Sequence, residues 1–231
     1  MLTLADLRLR ARQRLDDLVT PYLWSDAELL DCINDTLWDA AVRANLTVED
    51  DIALPFTQKV DLTWNDLYAL SSGILEVKSV YLNSQPTYTL QRTSIRRREQ
   101  FYGGRPSQKG TPWAYALDLT KAGTGADAGI FVRSIKFIST PVKADTAYMD
   151  VVRLPKLLSN TTDVPEIDPL WQPDLIFGVT GLAYMKPDVD TYDPKRSGRD
   201  MQLFTDRFGE RLPAVVIRER QTEVPYEMIL G

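Results

Sequence analysis

Hydrophobic residues near the N-terminus recur with the spacing of an α-helix. Residues 3–19 carry one apolar stripe, made of Leu4, Leu7, Ala11, Leu15 and Leu18, with arginines on the other faces. Thr20-Pro21 is expected to end this helix, because proline cannot continue a helical hydrogen-bond ladder. The pattern therefore predicts a first amphipathic helix over residues 3–19.

A second helix is predicted to begin at Ser25. Ser25 and Glu28 have the spacing of a capping box, in which each side chain accepts a hydrogen bond from a free backbone N–H. The expected core positions of this helix are Leu30, Ile33, Leu37, Ala40 or Ala41, and Ala44. Because only a short turn separates the two helices, they are expected to form an antiparallel hairpin.

Helical patterns return near the C-terminus. Residues 167–186 are apolar on nearly every face, which predicts a buried helix in which Gly178 and Gly181 permit close backbone approach. Asp193-Pro194 supplies an N-cap and a first-turn proline for a fourth helix, whose apolar stripe comprises Met201, Phe204, Phe208 and Leu212. We expect that helix to kink or end at Pro213.

Between these ends the hydrophobic period changes to two, which is typical of strands. Alternation begins with Ile52, Leu54 and Phe56 and returns in several later segments, the last covering residues 147–154. Short strands at this spacing favour a small antiparallel sheet structure over βαβ units. The predicted fold class is α+β, with a four-helix domain built from both chain ends and an inserted antiparallel β sandwich or barrel-like domain.

The domain boundaries follow from these changes of period. Residues 1–49 and 160–220 are predicted to form one discontinuous helical domain, and residues 50–159 the inserted β domain. Residues 221–231 form an apolar C-terminal tail that is too short to fold alone and is expected to dock on another surface. Its candidate docking residues are Val224, Tyr226, Met228, Ile229 and Leu230.

Composition narrows the possible chemistry. The 231 residues include no His and one Cys, so histidine-based triads, His-ligated metals, internal disulfides and Cys-ligated clusters are excluded. No pair of carboxylates stands out as an acid/base couple, and we expect a protein that is not an enzyme and needs no cofactor. The net charge of −5 argues against a broad DNA-binding face.

None of the short motifs in the sequence matches the full pattern of a metal site or a membrane span. The acidic run from Asp188 to Asp193 lacks the glycine and the final glutamate of a calcium loop, so no metal site is predicted. The densest basic cluster is Arg96, Arg97 and Arg98, which fits contact with a DNA backbone, salt bridges between subunits, or a solvated face without a partner. The longest apolar run, residues 175–185, is about half the roughly 20 residues needed to span a membrane. No membrane association is expected, and the charged, Leu/Arg-rich first residues are not expected to act as a secretory signal.

One segment resembles a known family. The run Trp24-Ser-Asp-Ala-Glu-Leu-Leu-Asp-Cys-Ile-Asn34-Asp35, after a Leu/Arg-rich helix, resembles the opening of tailed-phage head-to-tail adaptor (connector) proteins of the podophage type. Further similar segments follow in the family's order: Gly73 to Asn83, Gly110 to Asp118, Ile138 to Pro141, Arg153 to Pro155, Val164 to Ile167, Leu182 to Tyr184 and Asp190 to Pro194.

The resemblance implies a structural virion protein made in the cytoplasm of a bacterial host and located at the head–tail junction. Such adaptors form a homo-oligomeric ring, of twelve copies in related podophages, between the portal protein and the tail nozzle or tube. The ring extends the channel through which double-stranded DNA passes non-specifically, and it provides the platform for tail assembly. Two alternatives stay open: a carbohydrate- or receptor-binding virion module, and a metal-dependent nuclease or hydrolase that uses carboxylates.

Overall fold

The computed structural model describes residues 1–56, 67–71, 73–93, 110–121, 131–139, 141–213 and 215–216. Within them the fold is α+β, with four α-helices and two antiparallel-rich sheets. The chain divides into two compact units. The helical unit comprises Met1–Thr47 and Arg153–Arg211, and the strand-rich unit contains Val48–Val152.

Helix α1 spans Leu4–Leu15 and is four residues shorter at its C-terminus than predicted. Asp16 adopts a left-handed conformation (φ 58°) that ends the helix, so Leu18 lies beyond it and is 54% exposed. Helix α2 spans Asp26–Ala44, and the predicted capping box is present: Ser25 and Glu28 accept each other's backbone N–H. The buried residue near its start is Leu29 instead of the predicted Leu30.

Helix α3 spans Leu175–Ala183, after a 3₁₀ turn at Gln172–Asp174, and is shorter than the predicted 167–186. Its glycines lie where other helices come close, as predicted. A Cβ at Gly178 would lie 2.5 Å from Thr36 Cγ2 of α2 and 3.0 Å from the Phe204 ring. Only a residue without a side chain fits this helix crossing.

Helix α4 spans Pro194–Phe208 and begins as predicted, with the Asp193 side chain accepting hydrogen bonds from the N–H groups of Lys195 and Arg196. It ends at Gly209 (φ 83°) and not at Pro213, so Leu212 lies outside the helix and is 39% exposed. Helix α3 packs against the other three helices, which makes it the centre of the helical unit's apolar core.

The strand-rich unit contains two four-stranded sheets. The first has the order β1 (Val48–Phe56), β8 (Asp145–Arg153), β3 (Ile74–Leu82), β4 (Gln85–Thr89). The second has the order β2 (Leu67–Ala69), β7 (Phe131–Ile138), β6 (Ala114–Lys121), β5 (Gln91–Arg92). Strands β5 and β6 pair in parallel, whereas β1–β8, β3–β4, β2–β7 and β6–β7 are antiparallel.

The two sheets share one apolar core. Phe56 of β1 contacts the ring of Phe137 of β7 (centroids 4.9 Å apart) and that of Tyr68 of β2 (5.8 Å). Among the described strands neither sheet closes on itself, because β1 and β4 are the edges of one sheet and β2 and β5 those of the other. The barrel alternative in the sequence prediction is therefore wrong for this part of the chain.

Candidate functional site

The adaptor-like segment from Trp24 to Asp35 joins α2 to distant parts of the helical unit. Trp24 is 3% exposed, its indole Nε1–H donates to the Ala183 carbonyl (3.0 Å), and its ring meets that of Tyr184 edge-on. The Asn34 amide bonds both backbone groups of Leu158, donating to its carbonyl (3.1 Å) and accepting from its N–H (2.9 Å). These residues therefore hold the N-terminal and C-terminal halves of this unit together.

Glu28 of the capping box also contributes to this junction. The Ser25 backbone N–H, the Lys186 ammonium and the Ser25 hydroxyl all donate to its carboxylate and lower its pKa to about 2. Lys186 Nζ lies 3.0 Å from Glu28 Oε1 and donates to the Leu23 carbonyl at 2.9 Å. The connection between α1 and α2 is thereby fixed to the chain just after α3.

A buried guanidinium organises the same turn. Arg12 is 5% exposed; its Nη1 donates to Asp17 Oδ2 and its Nη2 to Asp26 Oδ1, both at 2.7 Å. The Asp17 carboxylate also accepts from the N–H groups of Leu23 and Trp24. Asp17 and Asp26, the ion-pair partners of Arg12, lie with it in the helical unit, so the cluster is a structural ion-pair network.

The outer face of α2 presents unpaired negative charge. We name the α2 acidic face for Asp31, Asp35 and Trp38, three exposed residues spaced i, i+4 and i+7 on one side of the helix. Among the described residues no Lys or Arg nitrogen lies within 4.0 Å of either carboxylate. Trp38 is 39% exposed and is held in place by an indole hydrogen bond to the Pro155 carbonyl (3.1 Å).

Cys32 lies next to this face. Burial, followed by the negative charges of Asp35 and Asp31, raises the pKa of its thiol to about 11. The thiolate, which is the reactive form, is therefore scarce near neutral pH. The arrangement does not provide an activated nucleophile at this position.

The outer face of α4 carries the opposite charge. We name the α4 basic face for Lys195, Arg199 and Gln202, which are exposed and repeat the same i, i+4, i+7 spacing. In the described part of the chain no carboxylate lies within 4.0 Å of Lys195 Nζ, and Arg199, 70% exposed, reaches Asp200 only at 3.4 Å. As a whole α4 has four basic and two acidic residues, whereas α2 has five acidic and one basic.

Neither charged face was predicted from the sequence, because only the apolar positions of each helix were used and the charged positions on the opposite side were not considered. The same helical spacing, applied to the charged positions, would have found them. The residues that were predicted as sites lie outside the described ranges. These are Arg96, Arg97 and Arg98, together with the tail residues Val224, Tyr226, Met228, Ile229 and Leu230.

No cluster of three or more Asp, Glu, Cys or His side chains suitable for a metal ion occurs in the described ranges.

None of the helices in the described ranges combines the length and apolar character that crossing a membrane requires.

Comparison of the chain with protein-family models and with curated proteins finds no match.

Proposed function

We propose that this chain is a structural adaptor of the phage head-to-tail junction, forming a homo-oligomeric ring between a portal protein and a tail nozzle or tube. One observation carries the proposal: the adaptor-like segments occur in the family's order along almost the whole chain. The first and most extensive of them, Trp24 to Asp35, coincides with residues that join α2 to the distant Ala183 and Leu158.

In this proposal the helical unit is the four-helix, ring-forming domain, and the strand-rich unit is an inserted β sandwich that projects toward tail components. Two observations support this description. Helix α3 is enclosed by α1, α2 and α4, and the two sheets share one apolar core. A compact helical unit of this kind has outer helix faces on which contacts between copies can be built.

The charge distribution supports a channel role. The net charge of −5 gives the chain a weak average attraction for DNA, which suits a ring through which double-stranded DNA must slide. The apolar tail residues Val224, Tyr226, Met228, Ile229 and Leu230 would bind the portal or a neighbouring subunit. Arg96, Arg97 and Arg98 would contact either the DNA backbone or another subunit. We place the assembled protein in the virion, at the head–tail junction.

The decisive experiment is imaging of the purified chain with its cognate portal protein by electron microscopy. A ring of this protein stacked coaxially on the portal is the expected result. Absence of portal binding, together with binding to glycans by the isolated chain, would contradict the proposal in favour of a receptor-binding module. Absence of portal binding together with magnesium- or manganese-dependent DNA cleavage would contradict it in favour of a nuclease.

A further inference from the structure

We propose that the α2 acidic face of one copy of this chain binds the α4 basic face of the next copy, so that the ring is built from head-to-tail contacts. The inference rests on the proposed ring and names the surfaces that would form it. Both faces belong to the helical unit, on helices that pack on the same central helix α3.

The α2 acidic face is chemically suited to bind basic side chains. Asp31 and Asp35 lie one helical turn apart, and both lack a cationic partner among the described residues. Trp38 lies one turn further on, and its indole is already ordered by the Pro155 carbonyl. Two carboxylates beside a half-exposed indole form a surface that suits lysine and arginine, which combine ion pairing with cation–π contact.

Helix α4 carries exposed cations at the matching spacing. Lys195 is unpaired within the described chain, and Arg199 makes only a long contact with the carboxylate of its own neighbour, Asp200. Because both faces repeat i, i+4, i+7, their charged positions are separated by the same rise, about 6 Å per four residues. Two such helices laid side by side can therefore place each cation opposite a carboxylate.

The partner that fits both faces is a second copy of this chain. If the contact were isologous, Asp31 and Asp35 would face their own equivalents, and like charges would repel. A head-to-tail contact instead pairs opposite charges at every junction and leaves each of the two copies with one unused face for the next contact, as a closed ring requires. Nucleic acid would suit the α4 basic face alone and leaves the α2 acidic face without a partner.

Cysteine crosslinking tests which faces meet. Cys32 is the sole cysteine, so a Cys32→Ala background permits single reporters at Asp35→Cys and, in a second variant carrying a size tag, at Arg199→Cys. With a short bismaleimide crosslinker we expect mixed dimers between the two variants to exceed the dimers of either variant alone, because the linker spans the separation of an aspartate–arginine pair, which is wider than the roughly 4.4–6.8 Å between Cα atoms that a disulfide needs. Same-variant dimers in excess, or no dimers at all, would overturn the proposal.

Charge reversal tests the energetics. One variant carries Asp31→Lys and Asp35→Lys, and the other carries Lys195→Glu and Arg199→Glu; all four positions are exposed, and circular dichroism checks that each variant is folded. Each alone should self-associate roughly tenfold more weakly than the unmodified chain in sedimentation velocity, because two ion pairs are replaced by repulsion. An equimolar mixture should recover the loss, since every junction again pairs opposite charges.

The outcomes separate this inference from the function on which it rests. If both variants assemble on the portal as the unmodified chain does, the assigned faces are wrong and the adaptor function stands. If the unmodified chain does not bind the portal, the adaptor function fails, whatever the crosslinking result. If the Lys195→Glu, Arg199→Glu variant loses only affinity for DNA, the α4 basic face is a nucleic-acid surface and the proposed contact is wrong.

Discussion

Arg14 of α1 and Asp200 of α4 form a two-point ion pair between residues 186 positions apart in the sequence. Arg14 Nη2 donates to Asp200 Oδ1 at 2.7 Å and Nε donates to Oδ2 at 3.1 Å. Thr180 Oγ1 of α3 donates to the same carboxylate at 2.6 Å. Asp200 is 1% exposed, and burial by itself would raise its pKa, but the hydrogen bonds from Arg14 and Thr180 outweigh that effect and lower the pKa.

The Asp200→Ala substitution should destabilise the helical unit by about 3 kcal/mol. It leaves the Arg14 guanidinium without its carboxylate, and removing one member of a buried pair costs about 3–5 kcal/mol; we expect the low end because the Arg14 side chain is 28% exposed. Urea unfolding measures the change. The matched control is Asp206→Ala on the same helix, where an exposed carboxylate bonds Gln202 and no other described residue, and the cost should stay below about 0.5 kcal/mol. Equal losses in the two variants would contradict the role assigned to Asp200.

Two glycine-to-alanine substitutions should have opposite effects on stability. Gly178→Ala adds a methyl group 2.5 Å from Thr36 Cγ2, so the buried Thr36 side chain or the backbone of α2 must move, and it should destabilise the unit by roughly 1–3 kcal/mol. Gly198→Ala, inside α4, meets no atom within 4 Å and should stabilise it by about 0.5–1 kcal/mol through the higher helix propensity of alanine. Thermal unfolding of both variants provides the comparison. A neutral or stabilising effect of Gly178→Ala would show that α3 packs less closely, and a destabilising effect of Gly198→Ala would show that the space around α4 is not open.

Stability should fall on acidification below about pH 4.5, in part through Glu166. Burial raises the pKa of this carboxyl group, but hydrogen bonds from the Arg153 guanidinium (2.7 Å) and the Lys156 N–H (3.0 Å) lower it more strongly, from 4.5 to about 2. A lowered pKa in the folded state stabilises the protein above the unfolded-state value, and that contribution is lost as the pH falls from about 4.5 towards 2.

A Glu166→Gln variant should therefore show a flatter dependence of unfolding free energy on pH in that window. Urea unfolding at a series of pH values measures the slope. Glu210→Gln changes an exposed carboxylate that has no ion pair within the described residues, and it should keep the original slope. The assignment is wrong if the two variants have the same profile.

Truncation after Gln221 should weaken portal binding and ring order while leaving the two compact units folded. The deleted segment carries the candidate docking residues Val224, Tyr226, Met228, Ile229 and Leu230, and apolar side chains of this kind stabilise a complex by burial in the partner. Pull-down with the portal protein and electron microscopy measure the effect, with urea unfolding as the control for folding. Intact portal binding and ring order in the truncated chain would remove the tail from the docking surface.

Several features of the fold could be predicted from sequence because they are local. The start of α2 depends on Ser25 and Glu28, and that of α4 on Asp193, whose side chains bond backbone groups within three positions. Pro194 adds a fixed φ that suits the first turn of α4. The apolar composition around Gly178 likewise predicted a buried helix with close neighbours. The charged faces of α2 and α4 could have been predicted in the same way, since residues spaced i, i+4 and i+7 lie on one side of a helix.

Other features depend on contacts that local sequence does not encode. The end of α1 follows from the conformation of Asp16, next to Asp17, whose carboxylate accepts hydrogen bonds from the turn that leads into α2. The Arg14–Asp200 pair exists only because α3 brings both chain ends to one core, and β1 lies beside β8 although about 90 residues separate them. The sequence by itself determined the kinds of elements and where most of them begin, through short-range capping and periodicity. Tertiary structure alone decided where helices end, which strands pair and which charges are buried, because those outcomes depend on burial against residues far away in the chain.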